Sequence, residues 1–222
     1  MYTYDPTSRS MSLGDLKRLI KTGEGTYLEF KRTISSPEKI AREVCAFANT
    51  KGGTLLLGVD DDKSLVGVNS FYEEEYEFDK VLSLCDPEPE ALVETVPLNN
   101  REIVMIKIRE SKSKPVFVQK GKRKTAYVRD KDKSIRANRE RLYLLKNDHS
   151  NNGITFEYGA NEQKLFRYLN EYDKITVKEY ANLIDTSNNQ ASKILVNLVS
   201  LGVLNMLHLK NKDYFTLTNK AF

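Results

Sequence analysis

The feature that most constrains this chain is a break in its apolar periodicity. "NDHSNNG", residues 147–153, is polar, helix-breaking and without an apolar period. Before it, short strand-like runs alternate with amphipathic stretches. After it come helical stretches and one hairpin-like pair. A single core cannot run through such a segment, so the 222 residues predict two domains. The predicted bounds are 1–146, a linker at 147–153, and 154–222. Hydrophobic residues at 40% and charged ones at 30% allow both to build cores.

In the first part, Ser12 can cap a helix carrying Leu13, Leu16, Leu19 and Ile20. Ser36-Pro37-Glu38 opens a second helix, with the stripe Ile40, Val44, Phe47 and Ala48. Asn49 to Gly53 ends it, and Thr54 to Val59, "TLLLGV", reads as a central strand. A short "LVGV" strand follows, then a helix over Tyr76 to Cys85. Strands are predicted at Leu92–Val96 and Glu102–Ile108, turning at Asn99-Asn100. Val116–Gln119 pairs with Thr125–Arg129 across "KGKRK", and a helix covers Asn138–Leu145. The fold class is mixed α/β (α+β).

The second part predicts helices at Glu162–Tyr172, Thr176–Asp185 and from Ser187 to Gly202, then a hairpin turning at Asn211. Three helices followed by a β-hairpin is the winged helix-turn-helix order, so a small winged-helix domain is expected.

The stretch "TGEGTYLEFKRT" holds the first candidate site. In a strand, Leu28 and Phe30 share one face while Tyr27, Glu29 and Lys31 share the other, so Glu29 is expected to point away from the core. Gly23 and Gly25 would let Glu24 converge on it. Asp60 ends the next strand. Three gathered carboxylates could hold Mg²⁺ or Mn²⁺, and such a metal could activate water against a phosphodiester with Lys31 beside it. The same residues also admit a purely structural reading: a loop acid, a Glu29–Lys31 pair and a turn at Asp60.

"GEGTYLEFKRT", "AFANTKGGTLLLGVDDDKSLVGV" and "KPVFVQKGKRKTAYVRDKDKSIRA" together resemble the AlbA_2 domain, also called the Schlafen AlbA-like or divergent AAA-4 domain, over about Leu13 to Ala137. The resemblance implies a mixed α/β domain that handles nucleic acid. Bacterial members of the family are commonly followed by helix-turn-helix modules and regarded as DNA-binding regulators. Schlafen members include metal-dependent nucleases of structured RNA, whose two glutamates and one aspartate match Glu24, Glu29 and Asp60. Those nucleases carry two related lobes and this chain carries one, so a homodimer is expected to supply the second. The divergent AAA name suggests ATP. "GGTLLLG" lacks the lysine and Ser/Thr of a phosphate loop, however, so an ATPase is not expected.

Net charge is +4 and the pI about 8.8. The excess concentrates at Lys112, Lys114, Lys120, Lys122, Arg123, Lys124, Arg129, Lys131, Lys133 and Arg136. Clustered cations on a hairpin suit phosphates, with Tyr127 and Phe117 placed to stack on bases. A lysine-protected edge hairpin is the alternative. Arg129 is expected near the acids, where it could hold a phosphate. In the second domain Ser187, Asn188, Asn189, Gln190, Ser192 and Lys193 open the reader helix, and Lys210 and Lys212 tip the wing. A protein-contact role for that module is the alternative. Cys45 and Cys85 read as buried thiols, and His149 and His208 lack zinc-ligand spacing. No apolar run nears the roughly 20 residues of a membrane span and the N-terminus lacks an apolar signal core, so a cytoplasmic location without membrane contact is expected. The principal expectation is a dimeric DNA-binding transcriptional regulator. An endoribonuclease is the alternative, and a protein-interaction scaffold is a weaker third class that leaves the basic hairpin unexplained.

Overall fold

A computed structural model describes residues 2–4, 11–147 and 159–218. Residues 148–153 of the expected linker, with His149, lie outside them. The chain forms two compact units, Met1–Ala137 and Asn138–Phe222.

In the first unit, β1 (Tyr2–Tyr4) precedes α1 (Leu13–Thr22), whose Ser12 cap accepts a hydrogen bond from the Asp15 amide. Then follow β2 (Leu28–Lys31), α2 (Pro37–Asn49), β3 (Gly53–Leu57), α3 (Phe71–Ser83) and β4 (Cys85–Asp86). After these come β5 (Ala91–Leu98), β6 (Arg101–Ile108), β7 (Phe117–Lys120), β8 (Arg123–Thr125), β9 (Tyr127–Asp130) and β10 (Lys133–Arg136). Five strands make a mixed sheet in the order β1-β5-β6-β3-β2, with the two outer pairs parallel and the inner pairs antiparallel. A three-stranded β4-β7-β8 sheet and the β9–β10 hairpin complete the unit.

Both faces of the large sheet are covered. Leu16 and Ile20 of α1 pack with Leu28, Phe30, Leu56, Ile103 and Met105 on one side. Val44 and Phe47 of α2 and Phe78 and Val81 of α3 pack with Leu55, Leu57, Val93, Val104 and Ile106 on the other. This is why "TLLLGV" is apolar at successive positions: a strand buried on both faces has no solvent side.

The glycine pair after α2 is fixed by packing. Gly52 has φ +72°, and a Cβ there would lie 2.6 Å from the Ile108 carbonyl oxygen. A Cβ on Gly53 would lie 2.2 Å from the Phe47 ring. The buried Asn49 accepts from the Val116 amide at 2.7 Å and donates to the Val116 and Tyr127 carbonyls at 2.8 and 2.9 Å. Asn49 thereby pins β9 and the start of β7 to the end of α2.

Three expectations are revised. The third helix begins at Phe71, and Cys85 belongs to a strand. "LVGV" forms isolated bridges, Val59 with Leu65 and Val68 with Glu102, rather than a strand. Only Arg123–Thr125 pairs back on β7, because Ala126 ends that hairpin and Tyr127–Asp130 turns away to pair with β10. As expected, Cys45 and Cys85 are free and buried, and burial pushes the Cys45 thiol up to about 12.

The second unit begins with α4 (Arg139–Asn147) and continues with α5 (Ala160–Tyr172), α6 (Val177–Leu183) and α7 (Asn188–Ser200). It ends with the antiparallel hairpin β11 (Leu204–Leu209) and β12 (Lys212–Leu217). Thr176 and Glu179 form a reciprocal capping box on α6, and Ser187 caps α7. Leu165, Leu169, Tyr180, Leu195, Leu198 and Phe215 form the core. Ile175 bridges to Phe215, adding a short third edge to the hairpin. The sequence placed α4 in the first domain, but it packs on α7. The reason is polar: its leading residues Arg139, Glu140 and Arg141 find partners on α7 and β12.

Candidate functional site

Strand β2 lies at the edge of the large sheet, and its approach segment folds back along it. Gly23 has φ +81°, and Gly25 bridges to Leu28. This return brings the Glu24 carboxylate to the strand edge, where Oε1 accepts from the Phe30 amide at 2.8 Å. Glu24 therefore satisfies an edge amide that has no strand partner.

Glu29 is buried, with 7% exposure. It stands on the α2 face of the sheet, not toward solvent as expected, because α2 and β9 cover that face as α1 covers the other. Its Oε1 accepts from Lys31 Nζ at 2.5 Å and its Oε2 from Arg129 Nη2 at 3.1 Å. Arg129, on β9, has a fully buried side chain. It also donates to Glu43 of α2 at 2.5 Å, to the Gly25 carbonyl at 2.6 Å and to Ser134 Oγ at 3.1 Å. Its guanidinium lies 4.7 Å from the centre of the Phe47 ring. Ser134 of β10 donates to Glu43 in turn. Burial raises the Glu43 carboxyl above its ordinary value and the Glu29 charge adds to this, while Ser134 and Arg129 pull it back.

The structure thus gathers Glu24, Glu29, Glu43, Lys31 and Arg129. Lys31 Nζ reaches Glu24 at 4.0 Å and donates to the Phe30 carbonyl at 2.7 Å. Asp60 is not in contact with this group; it pairs with Arg32 at 3.5 Å, both side chains well exposed. Among the described residues no three His, Cys, Asp or Glu side chains could together hold a metal ion. An ammonium already bridges Glu24 and Glu29, so the expected Mg²⁺ or Mn²⁺ set does not fit this arrangement. Arg129 is committed to buried carboxylates, which removes it from the expected phosphate-binding residues. The sequence reading missed Glu43 and Ser134. Glu43 lies four positions before Phe47 on α2, and that spacing is the one local sign that it shares a helix face with an inward residue.

The cations on the β7–β8 hairpin have the opposite environment. Lys120, Lys122, Arg123 and Lys124 are all exposed, with Lys120 directly across from Arg123. Gly121, at φ +58°, makes the turn with open space around it. Lys124 pairs with Asp86 at 2.7 Å, both partners about half-exposed. Lys131, Lys133 and Arg136 of the next hairpin are also exposed. Tyr127 packs against the core with Arg42 5.9 Å from its ring, and Phe117 is half-buried. Both rings are partly buried.

In the second unit Ser187, Asn188, Asn189, Gln190 and Lys193 are exposed at the start of α7. Ser192 is buried and donates to Glu140 at 2.7 Å. Leu201, just after α7, is 39% exposed. Lys210 and Asn211 turn the β11–β12 hairpin through positive φ, and Lys210 and Lys212 project from its exposed tip. Among the described residues no helix is long and apolar enough to cross a membrane.

No curated protein matches the chain. Among solved structures it is similar to the N-terminal domain of a RecG-related protein from Nitrosomonas europaea, at 21% identity and TM-score 0.43, over 54% of this chain and 88% of that one. It is also similar to the DIP2311 protein from Corynebacterium diphtheriae, at 14% identity and TM-score 0.42, over 87% of this chain and 34% of that one. The Schlafen, AlbA_2 family model matches residues 24–138, which span β2 with its buried acid, the Asn49-to-Gly53 helix end and the Arg129 strand. The chain belongs to the Schlafen AlbA_2 family.

Proposed function

We propose that this protein binds duplex DNA as a regulator and does not cleave it. In this reading the second unit is a winged helix-turn-helix module. Its helices α5, α6 and α7 and the β11–β12 hairpin occur in that order. The observation that carries the reading is the open, polar start of α7. Asn188, Gln190 and Lys193 stand exposed beyond a working N-cap, on a unit whose hairpin tip bears Lys210 and Lys212. Amides suit base edges in the major groove, and lysines suit the flanking phosphates. On the first unit, taken by itself, the exposed cations of the β7–β8 hairpin also suit phosphates. A homodimer, the commonest symmetric assembly, would present two readers to a two-fold site. Membership of a family that handles nucleic acid supports the same class of partner.

Against cleavage stands the ion network at β2, where both Glu29 oxygens accept from protein cations. The test is fluorescence anisotropy of the full chain with labelled duplex DNA over a range of salt, alongside incubation of tRNA with Mn²⁺ or EDTA. Duplex binding that falls steeply with salt, leaves both nucleic acids intact, and weakens in the Gln190→Ala/Lys193→Glu variant is expected. Mn²⁺-dependent cutting of tRNA that Glu24→Gln abolishes would replace this reading with a nuclease.

A further inference from the structure

We infer that Arg139, on α4, is a phosphate-contacting residue of the α7 reading surface. The inference rests on the DNA-binding reading above and adds a residue that lies outside the helix-turn-helix elements. The first turn of α4 is held from two sides. Glu140 accepts from the buried Ser192 of α7 at 2.7 Å. Arg141 donates to Asp213 of β12 at 2.9 and 3.3 Å, and Asn138 to the same carboxylate at 2.7 Å. His208 of β11 lies 2.8 Å from Asp213 as well. Four consecutive residues, Asn138 to Arg141, thus span the reader helix and the hairpin.

Arg139 is the member of that set whose side chain remains exposed while touching the reader. Its Nη2 donates to Asn189 Oδ1 at 2.5 Å. A guanidinium carries five N–H donors, so this bond leaves donors for a phosphate. The α4 contact also sorts the faces of α7. Ala191, Leu195 and Leu198 enter the core, while Ser192 and Asn189 meet α4. Lys193 is left open to solvent and Asn197 partly so, while Gln190 is exposed with its Oε1 accepting from Thr186 Oγ1. The Asn189 Oδ1 already accepts from Arg139, which fixes the guanidinium against α7. The guanidinium stands at the rim of the open face, where duplex phosphates flank a helix seated in the major groove.

The experiment compares salt dependence of duplex binding for the full chain and for Arg139→Ala, Arg139→Gln and Arg167→Ala. Arg167 is an exposed cation on α5 and controls for the loss of one charge. Arg139→Gln keeps a side chain able to bond Asn189 but no charge, so the inference stays testable if the alanine variant folds poorly. Both Arg139 variants are expected to flatten the slope of log K against log salt by about 0.9 and to weaken binding about tenfold. Arg167→Ala is expected to stay within about twofold of the parent in affinity. Equal losses for Arg139→Ala and Arg167→Ala, or an unchanged slope in both Arg139 variants, would overturn the role of Arg139 alone. Absence of duplex binding by the parent chain would overturn the reading of α7 on which it rests.

Discussion

Arg129→Met is the perturbation whose outcome the first unit specifies most closely. The substitution keeps an unbranched apolar stem against Phe47 but removes the guanidinium. Glu29, 7% exposed, would keep only Lys31, and Glu43 would keep only Ser134 among their charged and hydroxyl partners. Removing one member of a buried ion pair costs about 3–5 kcal/mol, because the remaining charge is left without compensation in a poorly solvating interior. For a unit spanning Met1–Ala137, the entropy of unfolding is about 0.3 kcal/mol/K, so the midpoint should fall by about 10–17 °C. Differential scanning calorimetry of the full chain measures the shift. Hydrogen exchange over Arg101–Ile108 assigns it to the first unit, since β6 is central in the sheet. Adding Glu29→Gln and Glu43→Gln should recover at least half of the loss, because amides need no counterion. A drop under about 3 °C for Arg129→Met would show that the guanidinium is not the counterion of a buried cluster, and the closed-network argument would fall with it.

Two further outcomes follow from the same unit. Gly53→Ala places a methyl 2.2 Å from the Phe47 ring and should cost about 1–3 kcal/mol by urea unfolding; Phe47→Leu in the same chain should return part of it, and a Gly53→Ala variant as stable as the parent would refute the contact. Glu43 titrates above its ordinary value in the folded chain, so the native state holds the extra proton and the parent loses stability as pH rises from about 4.5 through the folded value; Glu43→Gln lacks this component, and its stability relative to the parent should improve over that window in urea titrations at stepped pH.

The local elements were legible because their signals are local. Ser12, Thr176 and Ser187 cap helices through amides three residues on, and Asn99-Asn100 turns β5 into β6. The alternation in "TYLEFK" correctly assigned Leu28 and Phe30 to one face. It could not show that the opposite face is also covered. The elements that cover it, α2 and β9, follow β2 in the chain, and the Glu29–Arg129 bond joins residues 100 positions apart. The same limit hid Glu43, whose place on α2 looks like an ordinary exposed helical acid.

For α4, the polar residues Arg139 to Arg141 carry no apolar period that would tie them to either unit. Their assignment rests on hydrogen bonds to Asn189, Ser192 and Asp213, 50 to 72 positions away. Sequence alone therefore determined most helices, the central strands, the caps, the family pattern and the exposed cations of the β7–β8 hairpin, since each depends on neighbours within a turn or on the composition of a short run. Tertiary structure decided which charges are spent inside the protein and which face outward. Burial and pairing of a charge depend on distant segments closing over it, and no short window of residues contains that information.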